Sequence, residues 1–199
     1  MLSRHILIVT VLWGVLTAAG LAVVLSFDPF PIAAAHEARI VDDAFTLLTI
    51  LALPVFSFVI ATLLYSVLRF RSRGEPTEDG PPIRSHKAVV AIWFFVTTAL
   101  TVALIIHPGI TGINELRALD DGEPELVVQV EGGQWYWKVT YPEEGVFSRR
   151  EMVLPVDTHT RFYISAVDVL HSFWIPAFRV KIDAVPGLIT TTSATPDKT

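Results

Sequence analysis

The residues whose types could carry chemistry fall in the last third of the chain. The run Gln134-Trp135-Tyr136-Trp137 places three aromatic rings within four residues, and His171 stands among apolar residues near a predicted strand end. An exposed tryptophan can act as a contact and electron-transfer surface, whereas a buried one fills a core. Imidazole is a common ligand of copper and zinc. One histidine makes no metal site, and His159 is only a weak second candidate, so the local sequence leaves these choices open.

Composition removes several classes of function. Hydrophobic residues make up 52% of the 199 residues and charged residues only 18%, whereas soluble domains carry about 25% charge. The absence of cysteine excludes disulfides, iron–sulfur ligation, cysteine-based zinc sites and thiol catalysis within these residues. The net charge of −5 argues against nucleic acid as a partner, because phosphate binding needs a basic surface.

The charge is unevenly distributed along the chain. The residues up to Pro108 contain seven acidic and seven basic side chains, and those from Gly109 onward contain thirteen and eight. This division predicts a neutral part embedded in a membrane and an acidic part facing water. An acidic surface can steer a basic partner, although it also simply keeps a domain soluble.

Three uncharged stretches are long enough to cross a bilayer, which takes about 20 residues. They cover 22 residues (6–27), 25 residues (44–68) and 19 residues (88–106). Pro54 interrupts the second stretch, but neighbouring helices can satisfy the backbone groups that a proline frees inside a membrane. The sequence therefore predicts transmembrane helices within segments 1–28, 44–70 and 87–108.

The first stretch has an alternative interpretation as a secretion signal. Ala33-Ala34-Ala35 resembles a cleavage site, and Arg4 supplies a positive start. The apolar run is longer than the 7–15 residues of a signal-peptide core. We therefore expect a retained helix or an uncleaved signal anchor.

Basic residues indicate the orientation in the membrane. The region around the second loop carries five of them: Arg69, Arg71, Arg73, Arg84 and Lys87. The positive-inside rule places the loop 71–86 and the N-terminus in the cytoplasm. Residues 29–43 then form an outer loop, and residues 109–199 form an exported domain attached to the inner or plasma membrane.

The exported part is typical of β-structure. Strand candidates are residues 126–130, 134–141, 152–156 and 161–167, with a turn at 142–145. Successive strands without helices suggest a sandwich or a barrel. On a strand, Trp135 and Trp137 would share one face and Tyr136 the other. The 91 residues are slightly fewer than the ~100 of a common sandwich, so the domain looks unfinished at its C-terminal end.

These motifs in this order resemble subunit II of haem–copper terminal oxidases. The resemblance rests on Gln134-Trp135-Tyr136-Trp137, on Ala-Val-Asp-Val-Leu-His-Ser-Phe-Trp-Ile-Pro at 166–176, and on Phe-Arg-Val-Lys-Ile-Asp-Ala-Val-Pro-Gly at 178–187. The last block fits the branch that oxidises cytochrome c. The resemblance covers roughly residue 45 to the end and implies a cupredoxin-like β-domain after the helices.

The resemblance implies roles for three residues. His171 matches the first histidine ligand of a dinuclear copper centre, CuA. Trp135 matches the point where electrons from cytochrome c enter, and Asp168 falls at an acidic position near that docking surface. Electrons would then pass to haem in subunit I, which also holds CuB and where oxygen is reduced and protons are moved. The implied partners are subunit I, further oxidase subunits, cytochrome c and the lipid bilayer.

Three departures from the family pattern keep other functions open. The remaining copper ligands come from a cysteine-containing loop that these residues lack, Gly133 stands where the motif usually has a histidine, and Val90 replaces a glutamate at a proton-uptake entrance. One alternative is a quinol oxidase subunit II without CuA. The other is a copper-free subunit that only holds an oxidase together.

Overall fold

The computed structural model describes residues 2–71, 74 and 85–199. Two compact units divide the chain: Met1–Pro29 with Phe45–His107, and Phe30–Ala44 with Pro108–Thr199. We call the first the membrane unit and the second the β-domain. Arg73, Arg84 and most of the predicted cytoplasmic loop lie outside the described residues.

Three long helices form the membrane unit: α1 (Leu2–Ser26), α2 (His36–Arg69), whose first turns belong to the β-domain, and α3 (Lys87–Leu104). Within the described residues all three are long and apolar enough to cross a bilayer, as the uncharged stretches predict. Most of their side chains are exposed, and Ser57 and Ala61 are the buried ones in the described part of this unit. These two residues lie four positions apart, hence on one face of α2.

The helix α2 begins earlier than predicted. Residues 36–43, predicted as part of an outer loop, form its first two turns. Glu37 in the first turn suits the positive end of the helix dipole, and its carboxylate accepts a hydrogen bond from Thr195 N. The partner that favours this start is distant in sequence, so hydropathy alone places the boundary too late.

The third helix ends before the predicted residue 108. After Leu104 a wide turn covers Ile105–Ile110, in which His107 has an extended backbone (φ −138°, ψ 118°). A fourth helix, α4 (Thr111–Asp120), follows in the β-domain. No sequence pattern predicts α4, because this helix is short and mixes apolar with charged residues.

Two sheets make up the rest of the β-domain. The first has the order β3-β2-β1-β4-β7: β1 is Leu126–Gly133, β2 Tyr136–Tyr141, β3 Val146–Ser148, β4 Thr160–Ala166 and β7 Thr190–Ala194. The second pairs β5 (His171–Ile175) with β6 (Val180–Ala184). Only β1 and β4 run parallel among these pairs. Alternate residues of β1 and β4 are buried and pack with Phe173 of β5 in one core, as in the predicted sandwich.

One predicted strand is wrong. Residues 152–156 form no strand, because the Tyr141 hydroxyl donates to Val153 O (2.9 Å) and accepts from Val153 N (2.8 Å). A side chain thus satisfies backbone groups that a strand neighbour would otherwise bind. The short strand β3 (Val146–Ser148) pairs with β2 instead.

Candidate functional site

Trp135 lies in the turn between β1 and β2 and is 94% exposed. The expectation that it shares a strand face with Trp137 is wrong, because β2 begins only at Tyr136. Trp137 is partly buried and packs against the core. The two tryptophans, which strand alternation predicts on one face, therefore have different environments: Trp135 faces solvent and Trp137 packs against the core.

Asp168 connects two parts of the site: the turn that contains Trp135 and the first residue of β5, His171. One carboxylate oxygen accepts from Gln134 N (2.7 Å), and the other accepts from Val169 N (2.6 Å) and lies 2.7 Å from His171 Nε2. The hydrogen bond to His171, followed by those from Gln134 and Val169, lowers the pKa of the Asp168 carboxyl to about 2. The carboxylate is therefore ionised at neutral pH.

The Asp168 carboxylate determines which nitrogen of His171 carries a proton. An ionised carboxylate only accepts hydrogen bonds, so Nε2 of His171 must be the donor. Nδ1 has no hydrogen-bond partner among the described residues, and in the neutral ring it carries a free lone pair. Metal-binding histidines commonly donate their other N–H to a carboxylate in this way. The geometry thus suits His171 as one metal ligand.

Aromatic rings hold the His171 ring in place. It meets Trp137 edge-on at 5.9 Å between centroids, and Trp137 meets Phe173 at 5.8 Å. Gly132 makes room for both rings, because a Cβ there would lie 3.0 Å from Trp137 Cζ3 and 3.2 Å from His171 Cδ2. This role of Gly132 is not predicted from the sequence, because its only signal is its place in a Gly-Gly pair that also suits a turn.

The residues of this chain do not by themselves form a copper centre. Across residues 2–71, 74 and 85–199 no three histidine, aspartate or glutamate side chains come together as metal ligands, and the 199 residues contain no cysteine. His159 precedes β4, whereas Asp168 follows its other end, so the structure does not bring His159 to His171.

The exposed aromatic turn and the anchored histidine belong to a β-domain in a chain with three membrane-competent helices, which is the architecture of a membrane-anchored β-protein. The family model described as the cytochrome c oxidase subunit II periplasmic domain matches residues 145–199. The chain belongs to the cytochrome c oxidase subunit II family. Three apolar helices followed by a cupredoxin-like β-domain agree with the predicted fold class.

Individual relatives support this assignment. Cytochrome c oxidase subunit 2 of Synechocystis sp. is 28% identical over 225 residues, which cover 90% of this chain and 68% of the relative. The Alkalihalophilus pseudofirmus protein of the same name is 33% identical over 149 residues, covering 71% and 43%. This chain therefore spans between about two fifths and two thirds of the length of these relatives.

A solved structure is similar over part of the chain. The periplasmic domain of cytochrome oxidase subunit II of Bradyrhizobium japonicum is 33% identical in sequence, with a TM-score of 0.38. The matched region covers 39% of this chain and 68% of that one.

Proposed function

We propose that this chain is the subunit of a respiratory haem–copper oxidase that accepts electrons from cytochrome c, and that Trp135 is where they enter. The observation that carries the proposal is the 94% exposure of the Trp135 indole on a turn whose backbone is bonded to Asp168. Tryptophan is enriched among the residues that dominate binding energy at protein contact surfaces.

The turn and the histidine share one anchor. Asp168 binds Gln134 N in the turn and His171 Nε2 at the start of β5. A common anchor keeps the two aromatic groups in a fixed relation, and a fixed relation favours reproducible electron transfer between a docked donor and an acceptor. His171 remains the proposed copper ligand, with the other ligands of CuA supplied by residues that this sequence does not contain.

The other oxidase functions lie in partner subunits under this proposal. Haem and CuB belong to subunit I, where oxygen reduction is coupled to proton movement, and this chain receives electrons for it. The helices anchor the β-domain on the outer face, with the N-terminus in the cytoplasm, as the basic residues around the second loop indicate. Asp168 and the acidic excess of the exported part favour a donor with basic groups near its docking site.

A comparison of two exposed tryptophans tests the proposal. Trp174 on β5 is 61% exposed, which makes Trp174→Ala a matched control for Trp135→Ala. In the assembled oxidase, Trp135→Ala should lower kcat/KM for reduced cytochrome c about tenfold to hundredfold, the size of effect when a contact hot spot is truncated. Trp174→Ala should change it less than about threefold, because Trp174 lies on strand β5 and not on the turn that Asp168 anchors.

The haem absorbance spectrum reports whether each variant assembles. With intact spectra, unchanged turnover in Trp135→Ala, or an equal loss in both variants, would contradict the assignment of Trp135.

A further inference from the structure

The turn that carries Trp135 contains a close contact between a glycine and a tyrosine ring. A Cβ atom at Gly133 would lie 2.6 Å from Cε1 of Tyr136 and 2.7 Å from its Cζ. Real Cβ atoms essentially never approach other atoms this closely. Any side chain at position 133 would therefore push the ring aside. Gly133 is the residue that lets the Tyr136 ring lie against the turn.

An arginine from outside the turn covers the face of the same ring. The guanidinium carbon of Arg149 lies 4.9 Å from the centroid of Tyr136, well within the distance for cation–π attraction. Arg149 follows β3, which pairs with the far part of β2. The next residue, Arg150, has no ring contact or ion pair in the described part of the chain; its backbone N–H donates to Ser148 Oγ.

Trp135 has no comparable support of its own. Its side chain makes no hydrogen bond or ring contact with another described residue, and it is 94% exposed. Its direction therefore depends on its two chain neighbours. Gln134 is bonded to Asp168, and Tyr136 is held between Gly133 and Arg149.

We propose that Arg149 is a positioning residue for the Trp135 contact surface, acting through the ring of Tyr136, which Gly133 admits. The proposal rests on the function proposed above for Trp135. When the Trp135 indole is already fixed, a docking donor does not have to order it. Ordering one large side chain on binding costs affinity. Releasing Tyr136 should therefore weaken donor binding without changing the chemistry that follows.

Four variants of the assembled oxidase separate positioning from charge. Arg149→Met removes the cation over the ring, and Gly133→Ala displaces the ring without altering charge. Each should raise KM for reduced cytochrome c about three- to tenfold, the cost of ordering one side chain, with kcat within about twofold. Arg149→Lys keeps a cation over the ring and should restore KM to within about twofold of the original chain. Arg150→Met, the matched control, removes a neighbouring charge without touching Tyr136 and should also stay within about twofold.

The outcomes distinguish failure of this inference from failure of the proposed function. If Arg149→Met and Arg150→Met change KM equally and in the same direction while Gly133→Ala does not, charge and not positioning is responsible, and the inference is wrong. If Trp135→Ala impairs turnover but neither Arg149→Met nor Gly133→Ala changes KM, only the inference fails. If Trp135→Ala has no effect, the proposed function fails and Arg149 has nothing to position. The haem spectrum and the thermal midpoint, unchanged in each variant, exclude misfolding as the cause.

Discussion

The single helix α2 is held in two different ways along its length. Its first residues, 36–44, belong to the β-domain and bind through charge: Asp42 pairs with Arg179, and Arg39 pairs with Asp197. The remainder, Phe45–Arg69, belongs to the membrane unit and carries no charged side chain before Arg69. The backbone geometry is the same in both stretches, so the difference lies in the contacts of the side chains.

In the membrane stretch, small and apolar groups replace the charges. Gly20 of α1 lies against Leu53, and Trp13 of α1 donates from Nε1 to Pro54 O (2.8 Å). Lipid is as apolar as the side chains, so helices in a membrane associate through close packing and single hydrogen bonds. We therefore expect buried ion pairs to contribute most to the stability of residues 36–44, and close packing to contribute most to that of residues 45–69.

Breaking the ion pair at the β-domain end should have the largest effect. Arg179 and Asp42 form two hydrogen bonds of 2.7 and 2.8 Å, with side chains only 10% and 19% exposed. Arg179→Met leaves the Asp42 carboxylate without its partner and should lower the free energy of unfolding by about 3–5 kcal/mol. Thermal unfolding of the full chain in detergent, followed by tryptophan fluorescence, measures the loss.

A second pair on the same stretch provides the control. Arg39, whose side chain is 60% exposed, pairs with Asp197, whose side chain is only 5% exposed. Arg39→Met should cost less than Arg179→Met because water reaches the Arg39 guanidinium and screens its charge. The double variant Arg179→Met/Asp42→Leu removes both charges and should recover the part of the loss that comes from the unpaired carboxylate. It does not restore the hydrogen bonds from Arg179 to Pro31 O and Pro176 O. Equal costs for the two arginines, or no recovery in the double variant, would show that burial does not set the energy here.

The packing of α1 on α2 should respond to added volume at one glycine and not at another. A Cβ at Gly20 would lie 2.8 Å from Leu53 Cδ2, whereas a Cβ at Gly14 would meet nothing within 4 Å. Gly20→Val should cost about 1 kcal/mol, the low end for overpacking, because the atom in its way is a terminal methyl that can rotate. The thermal midpoint in detergent should fall for Gly20→Val and stay unchanged for Gly14→Val. A comparable fall in both would place the effect in α1 alone.

The sequence predicts the apolar membrane stretch of α2, but it does not predict the charged stretch at residues 36–44. Uncharged runs locate the three helices. Pro54 is compatible with a helix there because neighbouring membrane helices can satisfy the backbone groups that it frees. The first turns of α2 escape prediction because Asp42 and its partner Arg179 lie 137 positions apart, and no local pattern reveals such a pair. At the site, the aromatic motif identifies Trp135, but alternation misplaces it on a strand. The turn is held by residues that are distant in sequence, since Asp168 binds Gln134 N and the His171 ring lies against Gly132.

The smallest expected effect comes from the hydrogen bond between α1 and α2. Trp13→Phe keeps an aromatic ring near Phe58, now at 5.9 Å from Trp13, and removes only the donor to Pro54 O. Hydrogen bonds between membrane helices contribute about 0.6 kcal/mol on average and up to about 1.7 kcal/mol. Trp13→Phe should therefore lower the thermal midpoint in detergent less than Gly20→Val does. A larger loss than that of Gly20→Val would mean that the hydrogen bond from the Trp13 indole to Pro54 O contributes more stability than the packing at Gly20. Polar contacts would then dominate the membrane stretch of α2 as well as its first stretch.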